Sequence, residues 1–144
     1  MALQLVWFKR DLRVKDHKPL QQALLRGPVL PLYVVEPELW QQQDASERQW
    51  LFCRESLLDL RLALAELGQP LLVRSGDVLE VFERAHRQFG LEALWSHEET
   101  GNSWTYQRDQ RVALWCRHAP SAPLASLLAA EIAHPAGSFC PLFC

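Results

Sequence analysis

Charged side chains directly follow a short apolar run near the start of the chain. The run LVWF at residues 5–8 leads into KRDLRVKD at residues 9–16, and the stretch Lys9–Lys18 carries five Lys or Arg side chains, two Asp side chains and no Gly. Such a cluster could contact an anion, a cofactor or a second domain. It could equally be a solvated loop, because exposed ion pairs contribute little stability.

Two acidic residues in this stretch are predicted to order it. Asp11 lies between Arg10 and Arg13, so its carboxylate can accept charge-assisted hydrogen bonds from them. Asp16 is placed to cap the helix that follows.

A second polar cluster, SHEETGN, follows an apolar run at residues 91–95. Its adjacent carboxylates, Glu98 and Glu99, have the chemistry of a general acid and base. No nucleophile is marked nearby, so binding of a polar ring or simple solvation is the better interpretation. His17 and His97 are isolated loop histidines that we expect at the surface. We predict no catalytic residue and no metal site, and the cysteine spacing fits no zinc pattern.

Strand and helix patterns alternate through the first 117 residues. Short apolar runs predict buried strands, and apolar residues at spacings of three and four predict helices. Capping boxes of Ser46 with Gln49 and of Asp77 with Glu80 mark two helix starts. Pro31 interrupts the second apolar run and is tolerable near its start or at a sheet edge. The predicted strands are 3–8, 28–36, 70–74 and 91–95, and the predicted helices are 19–26, 46–67, 77–89 and 103–116.

This order of elements predicts an α/β fold of three layers. We expect a parallel five-stranded sheet with helices on both faces, Rossmann-like in architecture. Ligands of such sheets bind outside the C-terminal ends of the strands. Trp40 and Trp104 fall near that edge, where their rings could stack on a planar chromophore or simply pack under a loop. Trp7, Trp50 and Trp95 are expected in the core.

Several function classes are excluded by what the sequence lacks. The glycines of a dinucleotide-binding turn and a Walker-type phosphate loop are both missing, which argues against a nicotinamide dehydrogenase and a P-loop nucleotidase. The net charge of −2 carries no global signature of nucleic-acid binding. No signal peptide and no apolar stretch of roughly 20 residues is present, so we expect a cytoplasmic protein without a membrane span.

The chain divides into two parts by composition. Residues 1–118 are the predicted α/β domain, and residues 119–144 are a tail with scattered Pro, one acidic residue and no Lys or Arg. The structure of the tail, and whether it is native, stay open.

Taken together, several motifs resemble the DNA photolyase/cryptochrome family. LVWFKRDLRVKDHKPLQQAL is similar to the family's opening strand with its R-D-L-R and D-N-x-x-L motifs, although His17 stands where Asn is usual. VLPLYVVEPELW resembles the second strand and its loop, and SERQWLFCRESLLDLRLALAELGQPLLVRSGD resembles the long helix and third strand. TYQRDQRV resembles the helix after the fourth strand, so the resemblance covers about residues 3–117.

The resemblance implies the N-terminal α/β domain of such a protein. In this family a larger helical domain follows, and it carries FAD, the DNA-binding groove and the electron-transfer tryptophans. The implied reaction is light-driven electron transfer from reduced FAD to a pyrimidine dimer flipped out of the duplex. The chain is too short to contain the helical domain, so alone we expect it to lack FAD, repair activity and the main DNA contact. The resemblance implies no obligate protein partner.

The N-terminal domain of family members often binds an antenna chromophore, a folate or a deazaflavin, which passes excitation to FAD. Folate-binding members have an Asn–Glu pair where this chain has Trp104 and Thr105, so the resemblance favours a deazaflavin or flavin antenna, or none. Arg10, Asp11 and Arg13 match R-D-L-R and are expected to order a seam with the second domain. The candidate cofactor-binding residues of the antenna cleft are Phe8, Arg10, Asp11, Glu36, Trp40, Glu98, Glu99 and Trp104.

Two alternatives remain beside a photolyase domain. One is the corresponding domain of a cryptochrome-type blue-light photoreceptor, whose distinguishing residues would lie in the helical domain. The other is a stand-alone nucleotide-binding α/β module. That alternative expects a Gly-rich phosphate loop after the fourth strand, where SHEETGNS offers a single Gly.

Overall fold

The computed structural model describes residues 3–97, 99 and 101–118. Within them, strands and helices follow one another in the predicted order, with one short helix, α2, where only a loop was expected. The strands are β1 (Leu3–Phe8), β2 (Val29–Val35), β3 (Leu72–Ser75) and β4 (Leu91–Trp95). The helices are α1 (Lys18–Arg26), α2 (Pro37–Trp40), α3 (Glu47–Glu66), α4 (Val78–Phe89) and α5 (Ser103–His118).

The strands form one parallel sheet in the order β3-β2-β1-β4. This confirms the α/β class, although the described part of the chain contains four strands rather than the predicted five. β2 pairs with one side of β1, and β4 pairs with the opposite side. The connections after β1 therefore run in one direction along the sheet to β2 and β3, and in the reverse direction from β3 to β4. Such a reversal of strand order opens a crevice at the C-terminal edge of the sheet, beside the ends of β1 and β4.

Alternating side chains of β1 point into two apolar layers, as a central strand requires. Trp7 packs edge-on against Phe82 of α4, with ring centroids 5.1 Å apart. Phe8 contacts the ring of His17, at the start of α1, with centroids 4.7 Å apart. Both aromatic side chains are almost fully buried. Helices therefore cover both faces of the sheet, as predicted.

Pro31 lies in an interior strand, yet its missing N–H group costs little there. It pairs with Val6 of β1. The pairing of β2 with β3 begins only at Leu32. At Pro31, β2 thus has a neighbour on one side only, which is the situation in which a strand tolerates proline.

Local side-chain bonds determine where the helices begin. The predicted capping box of α3 is present: Ser46 Oγ accepts a hydrogen bond from the Gln49 amide, and Gln49 Oε1 accepts one from the Ser46 amide. Asp77 caps α4 by accepting from the Leu79 amide at 2.9 Å. Gly90 ends α4 in the left-handed conformation, with φ of 67°.

The predicted cap of α1 was wrong by one residue. The cap is His17, whose Nδ1 accepts a hydrogen bond from the Leu20 amide at 3.1 Å. Asp16 instead adopts a positive φ of 51° in the preceding turn, a conformation that Asp tolerates better than most residues.

No helix among the described residues has both the length and the apolar character that crossing a membrane requires.

Candidate functional site

A cleft of about 730 Å³ opens at the C-terminal edge of the sheet, between the end of β1, the α2–α3 segment and the start of α5. Its volume is typical of a pocket for a small organic ligand. Aromatic rings contribute much of its wall, from Trp7, Phe8, Tyr33, Trp40 and Phe52. Charged side chains also line it, from Lys9, Arg10, Glu36, Asp44, Arg48, Glu99 and Arg108.

Arg108, on α5, joins the elements that surround the cleft. Its guanidinium donates to Glu36 Oε1 at 2.8 Å and to Asp109 Oδ1 at 3.0 Å, and it also bonds Glu99. The group lies 4.9 Å from the centre of the Trp7 ring, in a cation–π arrangement. Since Arg108 is only 3% exposed, its charge is balanced by carboxylates rather than by water. Their charges keep the pKa of Arg108 above its usual value despite burial.

Lys9 forms a second buried cationic contact at the end of β1. Its Nζ donates to the His97 carbonyl at 2.9 Å and to Asp109 Oδ2 at 3.1 Å. The ammonium also lies 4.4 Å from the centre of the Trp7 ring. Burial lowers the pKa of Lys9, although Asp109 opposes the shift. The ammonium thus ties the end of β1 to the segment after β4 and to α5.

Glu36, the residue after β2, is a buried acid with a raised pKa. Burial raises its pKa to about 7, although the Arg108 guanidinium partly offsets this effect. The Oε1 atom of Glu36 accepts from the Arg108 guanidinium, so this buried carboxylate connects the end of β2 to α5.

Asp11 lies outside the cleft lining, and its carboxylate contacts two histidine side chains. Its carboxylate accepts from the Lys9 amide at 2.9 Å and lies 2.5 Å from His97 Nδ1, and the Nε2 of His17 also contacts it. Burial alone would raise the pKa of Asp11, but the bonds from His17 and His97 lower it well below its usual range. The expectation that the two histidines lie at the surface was wrong: His17 is fully buried, and the His97 side chain is 17% exposed.

The geometry of this cluster favours hydrogen bonds over a metal ion. The three side chains bring potential ligand atoms within 4.8 Å of one another. However, Nδ1 of His17 accepts the Leu20 amide, so the neutral ring carries its proton on Nε2, the nitrogen that faces Asp11. Metal-bound histidines instead donate from the second ring nitrogen.

Hydrogen bonds between Asn102 and Asp44, which both line the cleft, join two segments that are distant in sequence. Asn102 Nδ2 donates to both carboxylate oxygens of Asp44, at 2.9 Å each. Asn102 Oδ1 accepts from the Thr105 amide at 3.0 Å, at the start of α5. The α2–α3 segment is thereby attached to the first turn of α5.

The structure brings together most, but not all, of the residues predicted to line the cleft. Asp11 does not line it and instead bonds the two histidines. Trp104 also lies outside the cleft lining, and its ring centre is 5.6 Å from the Arg108 guanidinium. Glu98 falls outside the described residues. Those that line the cleft are Phe8, Arg10, Glu36, Trp40 and Glu99.

The expected bonds between Asp11 and its neighbouring arginines were wrong. Arg10 pairs with Glu99 at 3.0 Å, and Arg13 bonds the backbone carbonyls of Lys15 and Asp16. His17 and His97 contact the Asp11 carboxylate instead.

Arg108 is the main site residue that was not singled out from the sequence. A signal for it existed, because Arg108 follows Trp104 by four positions and precedes Val112 by four. That spacing places a charged side chain on the buried face of α5, where Arg is rarely found without partners. Lys9 was included in the charged stretch but was not predicted to line the cleft. For Arg48 and Asp44, which also line it, no helical spacing or motif in the sequence indicated a place in the site.

Comparisons with known proteins point to one family. Residues 4–137 match the model of the family described as DNA photolyase. A cryptochrome DASH of Gloeobacter violaceus is 34% identical over 139 residues, which cover 91% of this chain and 27% of that protein. A deoxyribodipyrimidine photo-lyase of Salmonella typhimurium is 45% identical over 74 residues, covering 50% of this chain and 16% of that protein. The chain thus spans about a quarter or less of the length of these relatives.

Solved structures show the same fold. An archaeal photolyase from Sulfolobus tokodaii, solved with two FAD molecules that imply a novel light-harvesting cofactor, superposes with a TM-score of 0.69 and 26% identity, covering 81% of this chain and 27% of that one. A bacterial class III photolyase from Agrobacterium tumefaciens gives a TM-score of 0.65 at 26% identity, covering 77% of this chain and 23% of that one.

Proposed function

Because the chain belongs to the DNA photolyase family and corresponds to its N-terminal α/β domain, we propose that the cleft binds an antenna chromophore. The observation that carries this proposal is the cleft itself. Its volume of about 730 Å³, its aromatic wall and its position at the C-terminal edge of the sheet suit a planar heteroaromatic ring. The antenna supplies light absorption and the transfer of excitation energy, and the residues of this chain bind and orient it.

The contacts of α5 support a flavin or deazaflavin rather than a folate. Thr105 is fully buried, and its hydroxyl donates to the Asn102 carbonyl at 2.9 Å. Trp104 contacts Arg108 instead of lining the cleft. Neither residue offers the polar groups of the Asn–Glu pair that stands there in folate-binding members. The Sulfolobus tokodaii photolyase, solved with two FAD molecules and an implied novel light-harvesting cofactor, is in keeping with a flavin-type antenna.

A binding titration tests the proposal. Riboflavin, a deazaflavin and a reduced folate would each be titrated into the 144-residue chain, with ligand fluorescence as the readout. We expect saturable one-to-one binding of a flavin-type ring and weaker or no binding of the folate. Absence of saturable binding by any flavin-type ring would contradict the proposal.

A matched pair of variants locates the binding. Phe52 lines the cleft and is 71% exposed, whereas Leu58 lies on the same helix, is 53% exposed and does not line it. Phe52→Ala should weaken binding several-fold, because it removes apolar contact area from one wall. Leu58→Ala should leave the affinity unchanged. Equal effects of the two substitutions would place the ligand elsewhere.

We further propose that this domain acts together with a helical domain that binds FAD and DNA, in the repair of pyrimidine dimers by light-driven electron transfer from FAD. Repair of irradiated DNA by the full-length protein under blue light would support it. The similarity to cryptochrome DASH favours a photoreceptor as the second candidate. Bound FAD that is reduced by light, without any repair of dimers, would indicate that candidate.

A further inference from the structure

Helix α3 has an apolar face that the rest of the domain does not cover. One side of α3 packs into the core through three buried leucines. On the opposite side, Leu51, Leu58 and Leu62 are exposed. A helix that is apolar on two opposite sides is normally covered on both, so the exposed side of α3 is a candidate interface.

The exposed apolar residues of α3 follow a heptad spacing. After Leu51 they are Leu58, Leu62 and Ala65, at intervals of seven, four and three residues. This spacing is typical of a helix that pairs with another helix along one face. We call these four residues, together with Glu55 between them, the α3 stripe. None of them lines the cleft, so the stripe is a separate surface.

Charged side chains flank the α3 stripe, basic on one side and acidic on the other. Arg54 and Arg61 lie on the first flank. Asp59 and Glu66 lie on the second. None of the four has an oppositely charged residue three or four positions away on α3, the spacing that pairs charges within a helix. None of them forms an ion pair elsewhere in the described part of the chain.

The spacing of these charges matches a parallel pair of α3 helices. Arg54 precedes Asp59 by five positions. Arg61 precedes Glu66 by the same number. In a parallel two-stranded coiled coil, flanking residues five positions apart on the two helices lie side by side and form ion pairs. In an antiparallel pair with two-fold symmetry, like flanks would face each other and arginines would meet arginines.

We propose that two copies of this chain associate through the α3 stripe, with their α3 helices parallel. Arg54 of each copy pairs with Asp59 of the other. Arg61 pairs with Glu66 in the same way. The partner is a second copy rather than an unrelated helix, because both halves of the charge pattern lie on α3 itself. One helix pair buries an area at the low end of protein interfaces, so the dimer is weak, with a Kd in the micromolar range.

Glu55 limits the strength of this association. It is exposed within the α3 stripe, and in the parallel dimer the two Glu55 carboxylates approach each other. A polar residue at one position of such a stripe weakens the pairing while it fixes the register. Glu55→Leu should therefore tighten the dimer at least about tenfold. An unchanged or weaker dimer in this variant would contradict the proposal.

Sedimentation velocity of the 144-residue chain over a concentration series measures the association. We expect a monomer–dimer equilibrium for the wild-type chain. Leu58→Ser removes the central apolar contact and should weaken the dimer at least about tenfold. The matched control is Leu25→Ser, because Leu25 of α1 is 82% exposed and lies outside the α3 stripe. The control should leave the Kd unchanged.

A charge-reversal experiment tests the parallel arrangement. The double variant Arg54→Glu with Arg61→Glu makes both flanks acidic. The double variant Asp59→Arg with Glu66→Arg makes both flanks basic. Each alone should dimerise at least about tenfold more weakly than the wild-type chain. An equimolar mixture should recover a dimer with one chain of each variant, because every lost pair is restored with reversed polarity, and native mass spectrometry identifies that dimer by its mass.

Three results would overturn the proposal. The first is a wild-type chain that stays monomeric at millimolar concentration. The second is a dimer that Leu58→Ser and Leu25→Ser affect equally, since it would use another surface. The third is a mixture of the two charge variants that forms no mixed dimer. Because the α3 stripe does not line the cleft, these results are independent of chromophore binding.

Discussion

Replacing Arg108 by Met should destabilise the domain far more than replacing an exposed arginine on the same helix. The Arg108 guanidinium is buried and bonds Glu36 at 2.8 Å and Asp109 at 3.0 Å, besides Glu99. Methionine fills much of the space of the arginine stem but brings no charge. The substitution therefore removes the cation that these carboxylates share.

The expected loss of unfolding free energy depends on the charges that remain after the substitution. Removal of one partner of a buried ion pair costs about 3–5 kcal/mol, because the other charge stays buried without compensation. Two cations would still act here: Lys9 lies 3.1 Å from Asp109, and Arg10 lies 3.0 Å from Glu99. We therefore expect the lower part of that range, about 3–4 kcal/mol of unfolding free energy at pH 8.

The loss should depend on pH through Glu36. Its pKa of about 7 in the folded domain lies above the usual 4.5. The folded state thus binds this proton more tightly than the unfolded state, so the contribution of Glu36 to stability declines as the pH rises between these values. Without Arg108 the pKa of Glu36 should rise further. The destabilisation by Arg108→Met should consequently be smaller at pH 6 than at pH 8.

Urea unfolding at pH 6 and pH 8, followed by tryptophan fluorescence, measures both effects. The matched control is Arg111→Met, because the Arg111 side chain is 52% exposed and pairs with Asp77 at 3.2 Å. An exposed pair of this kind should cost at most about 1 kcal/mol. The reasoning would be refuted if Arg108→Met destabilised the domain no more than Arg111→Met, or if its loss were larger at pH 6.

Three further substitutions test local features by the same urea measurement. Ser46→Ala should cost about 1 kcal/mol by removing the α3 cap, whereas Ser56→Ala within α3 should not destabilise, since Ala is the better helix former; equal losses would argue against the cap. Gly90→Ala should cost about 1–2 kcal/mol, because Ala is strained at its φ of 67°; no loss would show that the helix end relaxes. Asp11→Asn should cost about 1–3 kcal/mol at pH 7 by weakening its bonds to the buried His17 and the half-buried His97. Since the folded-state pKa of Asp11 is lowered from 3.8, the stability that Asp11 adds is lost as the pH falls below that value, and the gap to Asp11→Asn should shrink there; a gap independent of pH would contradict the assignment.

Most of the fold could be predicted because its signals are local. The apolar runs of β1 and β4, the capping box at Ser46 and the glycine at position 90 each act within a few residues of the chain. These signals were enough to predict a parallel sheet covered by helices. They say nothing about the order of the strands, which depends on packing between distant segments.

The site was harder to predict because its contacts join residues far apart in sequence. Asp11 and His97 are 86 positions apart, and Glu36 and Arg108 are 72 positions apart. Asp11 and His97 come together only because β4 pairs with β1 rather than with β3. The sequence alone does not reveal that pairing. From the sequence, the neighbouring arginines were the expected partners of Asp11, and no partner was expected for either histidine. This accounts for the wrong predictions at Asp11 and at both histidines.

The most direct test of the antenna proposal is a crystal structure of the 144-residue chain grown with the flavin or deazaflavin that binds most tightly. The account predicts electron density for the ring in the cleft between the end of β1 and the α2–α3 segment. Density for the ring at another surface of the domain, with the cleft filled only by solvent, would contradict it.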